Sequence, residues 1–232
     1  MTRCLRPLAL IVALVALGML AISGPSVRFD LWSYRGGLNA FRWGAYVGIA
    51  AMGIAVLALA IPSSRKRGVL MPVVAFIIGA AAFGVPYQFQ QTARSVPPIN
   101  DITTDPSNPP KYMTASRPYP GEAFARRQAL AYPDIKPVLL PMPPRQAFER
   151  AVKAAESMGW EVVGRDAAAG ILEAVDTTKW FGFKDDIAVR VSPADSGSPN
   201  LSRVDVRSKS RVGRNDIGTN ARRIRAYVER LR

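Results

Sequence analysis

Apolar residues gather in three runs before residue 90, after which the chain turns to shorter alternating and helical patterns. The first, 5–22, is interrupted only by Arg6, Pro7 and Gly18. It gives roughly 27 Å of helix, the lower limit for crossing a hydrocarbon core of about 30 Å. Runs over 43–61 and 69–89 reach that length without stretching the criterion. With only short polar pieces between them, nothing soluble remains to bury three such helices, so the pattern predicts three membrane spans. A cleaved signal peptide is the rival reading of the first, because Arg3 and Arg6 precede it and Ala21-Ile22-Ser23 resembles a weak cleavage site.

Short basic flanks orient the spans. Arg3 and Arg6 precede the first, and Arg65-Lys66-Arg67 separates the second from the third, which puts both flanks in the cytoplasm and everything beyond Gln90 outside it. Arg28, Arg35 and Arg42 in the first loop pull mildly the other way. That loop also holds Phe29, Trp32, Tyr34 and Phe41, which suit a membrane interface and leave room for a short surface helix. Gly44 and Gly48 share one helix face at a spacing that permits close helix contact. No ionisable residue sits at the middle of a span, which argues against a channel or transporter.

Residues 91–144 are dense in proline, with Pro97-Pro98, Pro109-Pro110 and Pro143-Pro144, so regular elements cannot persist there apart from a short helix over 122–130. Ile99, Ile102, Tyr112, Tyr119, Phe124, Tyr132 and Ile135 are more apolar anchors than a free linker needs. The stretch therefore reads as a tether partly packed on the domain that follows.

From 145 onward the period changes twice. Phe148, Val152, Ala155 and Met158 mark one face of a helix that Pro143-Pro144 opens and Gly159 closes. Strands follow over 160–163, 170–176, 186–192 and 203–208, the last with Val204, Val206 and Ser208 alternating against Arg203, Asp205 and Arg207. Residues 193–200 read as the loop between the last two. A closing helix from 216 to 231 carries Ile217, Ala221, Ile224, Val228 and Leu231 on one face. The expected fold class is α+β: three N-terminal transmembrane helices (1–90), the tether (91–144) and a two-layer domain (145–232) with two helices on a mainly antiparallel four-stranded sheet.

Charge narrows the function classes. The chain has 232 residues and a formal net charge of +14, but nine basic residues against one acid fall in the first 100, leaving 22 against 16 beyond them. Nucleic-acid binding loses most of its support once the excess is assigned to membrane flanks. Cys4 is the only cysteine and there is no histidine, so an intrachain disulfide and any His- or Cys-based site in the domain are excluded.

Four groups of residues carry a resemblance: Ile102-Thr103-Thr104-Asp105, Tyr132-Pro133-Asp134-Ile135, Phe181-Gly182-Phe183-Lys184-Asp185-Asp186-Ile187, and the run from Ser202 to Ser208 with Ser210-Arg211-Val212-Gly213-Arg214-Asn215-Asp216. Together, over about 99–231, they resemble the family catalogued as domain of unknown function 1499, found in bacterial envelope-associated proteins. The resemblance implies membrane anchoring with an extracytoplasmic domain, and no catalytic residues transfer with it.

Read physically, Lys209, Arg211 and Arg214 stand just before a helix N-terminus, with Lys184 near them if the loops meet, and this could hold an anion. Asp185, Asp186 and Asp216 could equally neutralise those cations in ion pairs, and Asp216 could cap the last helix. Trp180, Phe181 and Phe183 read as a core plug or as a knob for a partner. Glu173, in phase with Ile171 and Val175, needs a basic partner if its face is buried. Adjacent aspartates on a strand point to opposite faces, so no metal site is expected, and no cofactor. No nucleophile elbow or Ser-x-x-Lys motif is present.

The reading is a membrane-anchored binding or scaffolding module of the bacterial inner membrane, with another envelope protein, a lipid headgroup or a wall component as partner. An extracytoplasmic enzyme acting on an anionic lipid or wall component is the alternative. Reporter fusions ending after Ser64 and after Arg145 should give signals from opposite sides of the membrane, and signals from one side would reject this topology.

Overall fold

A computed structural model describes residues 4–114, 116–194 and 199–232; Arg3 and the middle of the 193–200 loop lie outside the described residues. The chain divides into two compact units, Met1–Thr92 with Lys179–Gly182, and Ala93–Thr178 with Phe183–Arg232.

The first unit is built on α1 (Leu5–Arg28), α2 (Tyr34–Ala60), the single turn α3 (Pro62–Arg65) and α4 (Leu70–Ser95). At 24, 27 and 26 residues, α1, α2 and α4 are long and apolar enough to cross a membrane. Each runs beyond its apolar stretch, because a helix continues through polar residues until a cap or turn stops it. The surface helix expected between the first two spans is absent for this reason. Leu31 and Trp32 turn back to donate N–H groups to the Ser26 carbonyl at 2.8 and 2.9 Å, and Ser33 starts α2 by accepting the Gly36 N–H on its hydroxyl at 3.2 Å.

Gly44 and Gly48 are spent on helix contacts inside the chain. Gly44 lies against Ala16 and Leu20 of α1, while Gly48 backs onto Gly79 of α4 so closely that a Cβ on Gly48 would sit 2.8 Å from the Gly79 carbonyl oxygen. Lys179–Gly182 packs within this unit. The Phe181 ring meets Phe41 edge-on with centroids 5.7 Å apart, and Arg28 Nη1 donates to the Lys179 carbonyl at 2.8 Å. Gly182 has φ +67°, and a Cβ there would come 2.9 Å from Arg28 Cα, so both conformation and space favour glycine.

The second unit contains β1 (Asp101–Thr103), α5 (Glu122–Ala131), β2 (Val138–Leu140), α6 (Pro144–Ser157), β3 (Glu161–Asp166), β4 (Ile171–Thr177), β5 (Lys184–Pro193), β6 (Ser202–Ser210) and α7 (Thr219–Leu231). The class is α+β with an antiparallel sheet, but the sheet has six strands rather than four, in the order β1-β6-β5-β4-β3 with β2 also on β6. The two additional strands come from the proline-dense stretch. Each is three residues long, too short for alternation to register, and each exists because β6 offers an open edge. β1 pairs with Arg207–Lys209 and β2 with Ser202–Val204, so the two share that edge end to end.

One sheet face packs on α6 and α7. Ile102, Leu172, Ile187, Val189, Val204 and Val206 meet Phe148, Ala151 and Val152 of α6 and Ala221, Ile224 and Leu231 of α7 in a single buried core. Tyr227 stacks on Trp160 at 4.9 Å and donates its hydroxyl to the Ala151 carbonyl at 2.7 Å, satisfying the one polar atom that it buries. Asp216 accepts the N–H groups of Gly218 and Asn220, both at 2.8 Å, and so caps α7.

Gly48→Val should cost about 1–3 kcal/mol through overpacking against α4 and lower the unfolding temperature of the detergent-solubilised protein. Gly18→Ala, at a position where an added Cβ meets nothing within 4 Å, should leave it unchanged or raise it.

Candidate functional site

The other sheet face is the polar one, and a strap formed by residues 109–114 and 116–119 lies across it. Alternation along β6 puts Arg203, Asp205, Arg207 and Lys209 on this face, and antiparallel register sets Asp186, Ala188 and Arg190 of β5 beside them. Covered by the strap and by β1, several of these charges are buried: Asp101 and Asp205 are 0% exposed and Arg207 2%.

Arg207 is the hub. Its Nε and Nη2 reach the two Asp101 oxygens at 2.8 and 2.7 Å, and Nη1 and Nη2 donate to the carbonyls of Pro110 and Arg117 at 3.2 and 2.9 Å. The guanidinium also lies over the Tyr112 ring at 4.9 Å and the Tyr119 ring at 5.5 Å. Lys209 Nζ shares Asp101 at 3.2 Å and donates to the Pro118 carbonyl at 3.3 Å. A bidentate pair with the remaining donors on carbonyls is the arrangement that makes a buried arginine tolerable.

Two further clamps hold the strap. Glu173, 2% exposed, accepts from the N–H groups of Met113 and Thr114 at 2.5 and 2.9 Å and from the Thr114 hydroxyl at 2.5 Å. The basic partner expected for it is therefore replaced by backbone and hydroxyl donors, which also stabilise a carboxylate without a counter-charge. Asp186 is shared by Arg211, at 2.7 Å, and by Arg117, whose Nε lies 2.8 Å from Oδ2 but is not aligned for a hydrogen bond. Tyr112 donates its hydroxyl to the Asp186 carbonyl at 3.2 Å.

Beneath the strap is an open cleft of about 600 Å³, lined among others by Lys111, Tyr112, Thr114, Arg117, Tyr119 and Arg207, with no acidic residue among the described residues of its lining. Burial, with Asp101 adding to it, pushes the Tyr119 phenol up to about 12 and holds the Tyr112 phenol well above its ordinary value, so both remain neutral donors near pH 7. Farther along the face, Arg190 and Arg203 both bridge Asp105 and Asp205, at 2.8–3.1 Å. Burial works against the Asp105 carboxylate, but hydrogen bonds from Ser107 and Asn108 and the two arginines outweigh it and hold its pKa below the usual value.

The residues singled out in the sequence are distributed among separate places. Arg211 and Asp186 meet as an ion pair, with the Arg211 N–H on the Lys184 carbonyl at 3.1 Å and the Lys184 side chain exposed. Lys209 is drawn under the strap by Asp101. Asp185 points to the opposite face, where Arg223 takes it at 2.7 Å together with Asp176 at 2.7 Å, Ser208 and Asn220. Asp216 is occupied in capping α7, and burial pushes its carboxyl up. Arg214 is exposed, with no ion pair among the described residues. Trp180 and Phe181 belong to the helical unit, half exposed and buried respectively. Phe183 stays in the domain, where its N–H bonds the Thr178 hydroxyl at 2.8 Å. Arg117, Lys111, Tyr112, Tyr119, Asp101, Arg207 and Arg223 escaped attention as site residues. The alternation that exposed Arg207 on a polar face was visible, but its partners lie about 90 to 106 residues away.

The family described as protein of unknown function (DUF1499) matches residues 101–231, and the chain belongs to that family. The match begins at the first residue of β1 and takes in the strap as well as the sheet and its helices. No curated protein matches the chain.

Asp101→Ala should cost about 3–5 kcal/mol, since it leaves Arg207 buried without its counter-charge. Denaturant unfolding of the full chain in detergent measures this, and Asp101→Asn with Arg207→Met should recover part of the loss. A cost below about 1 kcal/mol would show that the pair does not organise the face.

Proposed function

For this member of the family, we propose a membrane-anchored binding module of the bacterial cell envelope, held in the inner membrane by α1, α2 and α4, with its domain on the extracytoplasmic side. The partner is an envelope protein, a lipid headgroup or a wall component, engaged through the strap face. The observation that carries this reading is the treatment of charge there. Asp101, Asp105, Asp186 and Asp205 are each held by arginine, while the cleft beside them is open and lined by cations, tyrosines and hydroxyls. Carboxylates fixed in ion pairs maintain shape and are poorly placed to move protons, whereas a rigid cleft with donors around it can hold a ligand. The three long apolar helices favour action at a membrane over action on diffusing substrates. The basic flanks at Arg6 and at Arg65-Lys66-Arg67 support the orientation.

A photo-crosslinking residue placed at Ser116 of the strap, in intact cells and with the helices retained, should give a discrete adduct. The same residue at Lys153, on the exposed side of α6, should not. Equal adducts from both positions, or none from Ser116 in a folded and abundant protein, would remove the strap face as the binding surface.

A further inference from the structure

Two buried carboxylates of the strap face are each shared by two cations: Asp101 by Arg207 and Lys209, Asp186 by Arg211 and Arg117. Each cluster therefore keeps a surplus positive charge, and Lys111 adds another at the rim of the same cleft. Glu173, the remaining buried acid nearby, is held by uncharged donors of the strap and not by a cation, so its charge offsets only one of these surpluses.

Three donors at this cleft are unspent. Arg117 is paired with Asp186, its Nε 2.8 Å from Oδ2 but off line, and that Nε is buried without a hydrogen-bond partner among the described residues. The Tyr119 hydroxyl is buried without a hydrogen-bond partner among the described residues. The Lys111 ammonium is exposed, likewise with no ion pair among them. A planar guanidinium, a neutral hydroxyl donor and an exposed ammonium around a positive, partly enclosed space suit a compact anion with several acceptor oxygens.

From this geometry we propose that the cleft beneath the strap binds a phosphate group, with Arg117 as the guanidinium donor, Tyr119 as the hydroxyl donor and Lys111 closing the open side. Arg207 and Asp101 position the strap and do not themselves change partner. A space of about 600 Å³ is larger than a bare phosphate needs, which favours a phosphate carried on a larger molecule. The site differs from the start of α7, where Asp216 and Asn215 take the N–H groups of Ile217, Gly218 and Asn220.

The inference rests on reading the strap face as a binding surface, but the two fail separately. A strap-specific adduct without phosphate affinity removes the ligand class alone. Phosphate affinity without an adduct removes the macromolecular partner alone.

Calorimetric titration of the full chain in an uncharged maltoside detergent tests it, with inorganic phosphate, glycerol 3-phosphate, dioctanoyl phosphatidylglycerol and acetate as probes. At least one phosphate probe should bind, with affinity reduced roughly tenfold or more in Arg117→Gln, the loss expected for a charge-assisted bond. Lys111→Gln, at an exposed position where folding is not at stake, should also weaken it, and Lys153→Gln should not. Binding of the soluble phosphates identifies a free ester as the source, and binding of the lipid alone identifies a headgroup. Both outcomes support the site. Acetate binding as tightly as phosphate, equal loss in Lys153→Gln, or no binding of any phosphate probe would overturn it.

Discussion

The domain depends on one buried contact, the bidentate pair between Asp101 and Arg207. Asp101 starts β1, and Arg207 lies in the middle of β6. Their pairing joins the edge of the sheet to the sheet itself, and the remaining Arg207 donors reach the carbonyls of Pro110 and Arg117 at either end of the strap. Desolvating such a pair costs several kcal/mol per ion before the Coulomb and hydrogen-bond terms offset it. Its contribution lies less in net stability than in specifying one position for a proline-rich segment that has almost no ladder bonds of its own.

The two sheet faces use charge differently. Toward α7, Arg223 gathers Asp176, Asp185, Asn220 and Ser208 into a closed cluster at the margin of an otherwise apolar core. Every polar group there has a partner inside the domain, as a rigid core requires. Under the strap, each of two carboxylates must serve two cations, and the Arg117 and Tyr119 donors are left over. The adjacent residues Asp185 and Asp186 illustrate the division, since strand alternation sends one to each face. A closed network maintains the fold, whereas a network with surplus donors beside an open cleft can do something further.

The helical unit is held by a different means. Lipid tails are as apolar as the side chains, so apolar burial alone does not draw membrane helices together, and close backbone approach at small residues does. Ala9, Ala13, Ala51, Ala55 and Ala75 form its buried cluster, and Gly48 and Gly79 bring α2 and α4 into backbone contact. The larger apolar side chains, among them Leu14, Ile49 and Ile77, face outward, the reverse of the arrangement in the domain.

Patterns local to the chain were sufficient for much of this. Runs of apolar residues identified α1, α2 and α4, a period of 3.6 identified α6 and α7, and alternation was plainest in β5 and β6, with β3 and β4 read as short strands before them. Each signal depends only on residues within a few positions of one another. Family membership was legible in the same way, from short motifs in order along residues 101–231. What the sequence left open was decided at long range. β1 and β2 have no signal of their own and form only because the β6 edge is there to pair with. The fates of Lys209, Arg211, Asp185 and Asp186 depended on which face each occupied and on whether Asp101, Arg117 or Arg223 stood opposite. Arg207 appeared as one more polar residue on a wet face until the strap covered it. A charge acquires its role from the groups that remain within a few ångströms once water is excluded, and only the tertiary structure decides which groups those are.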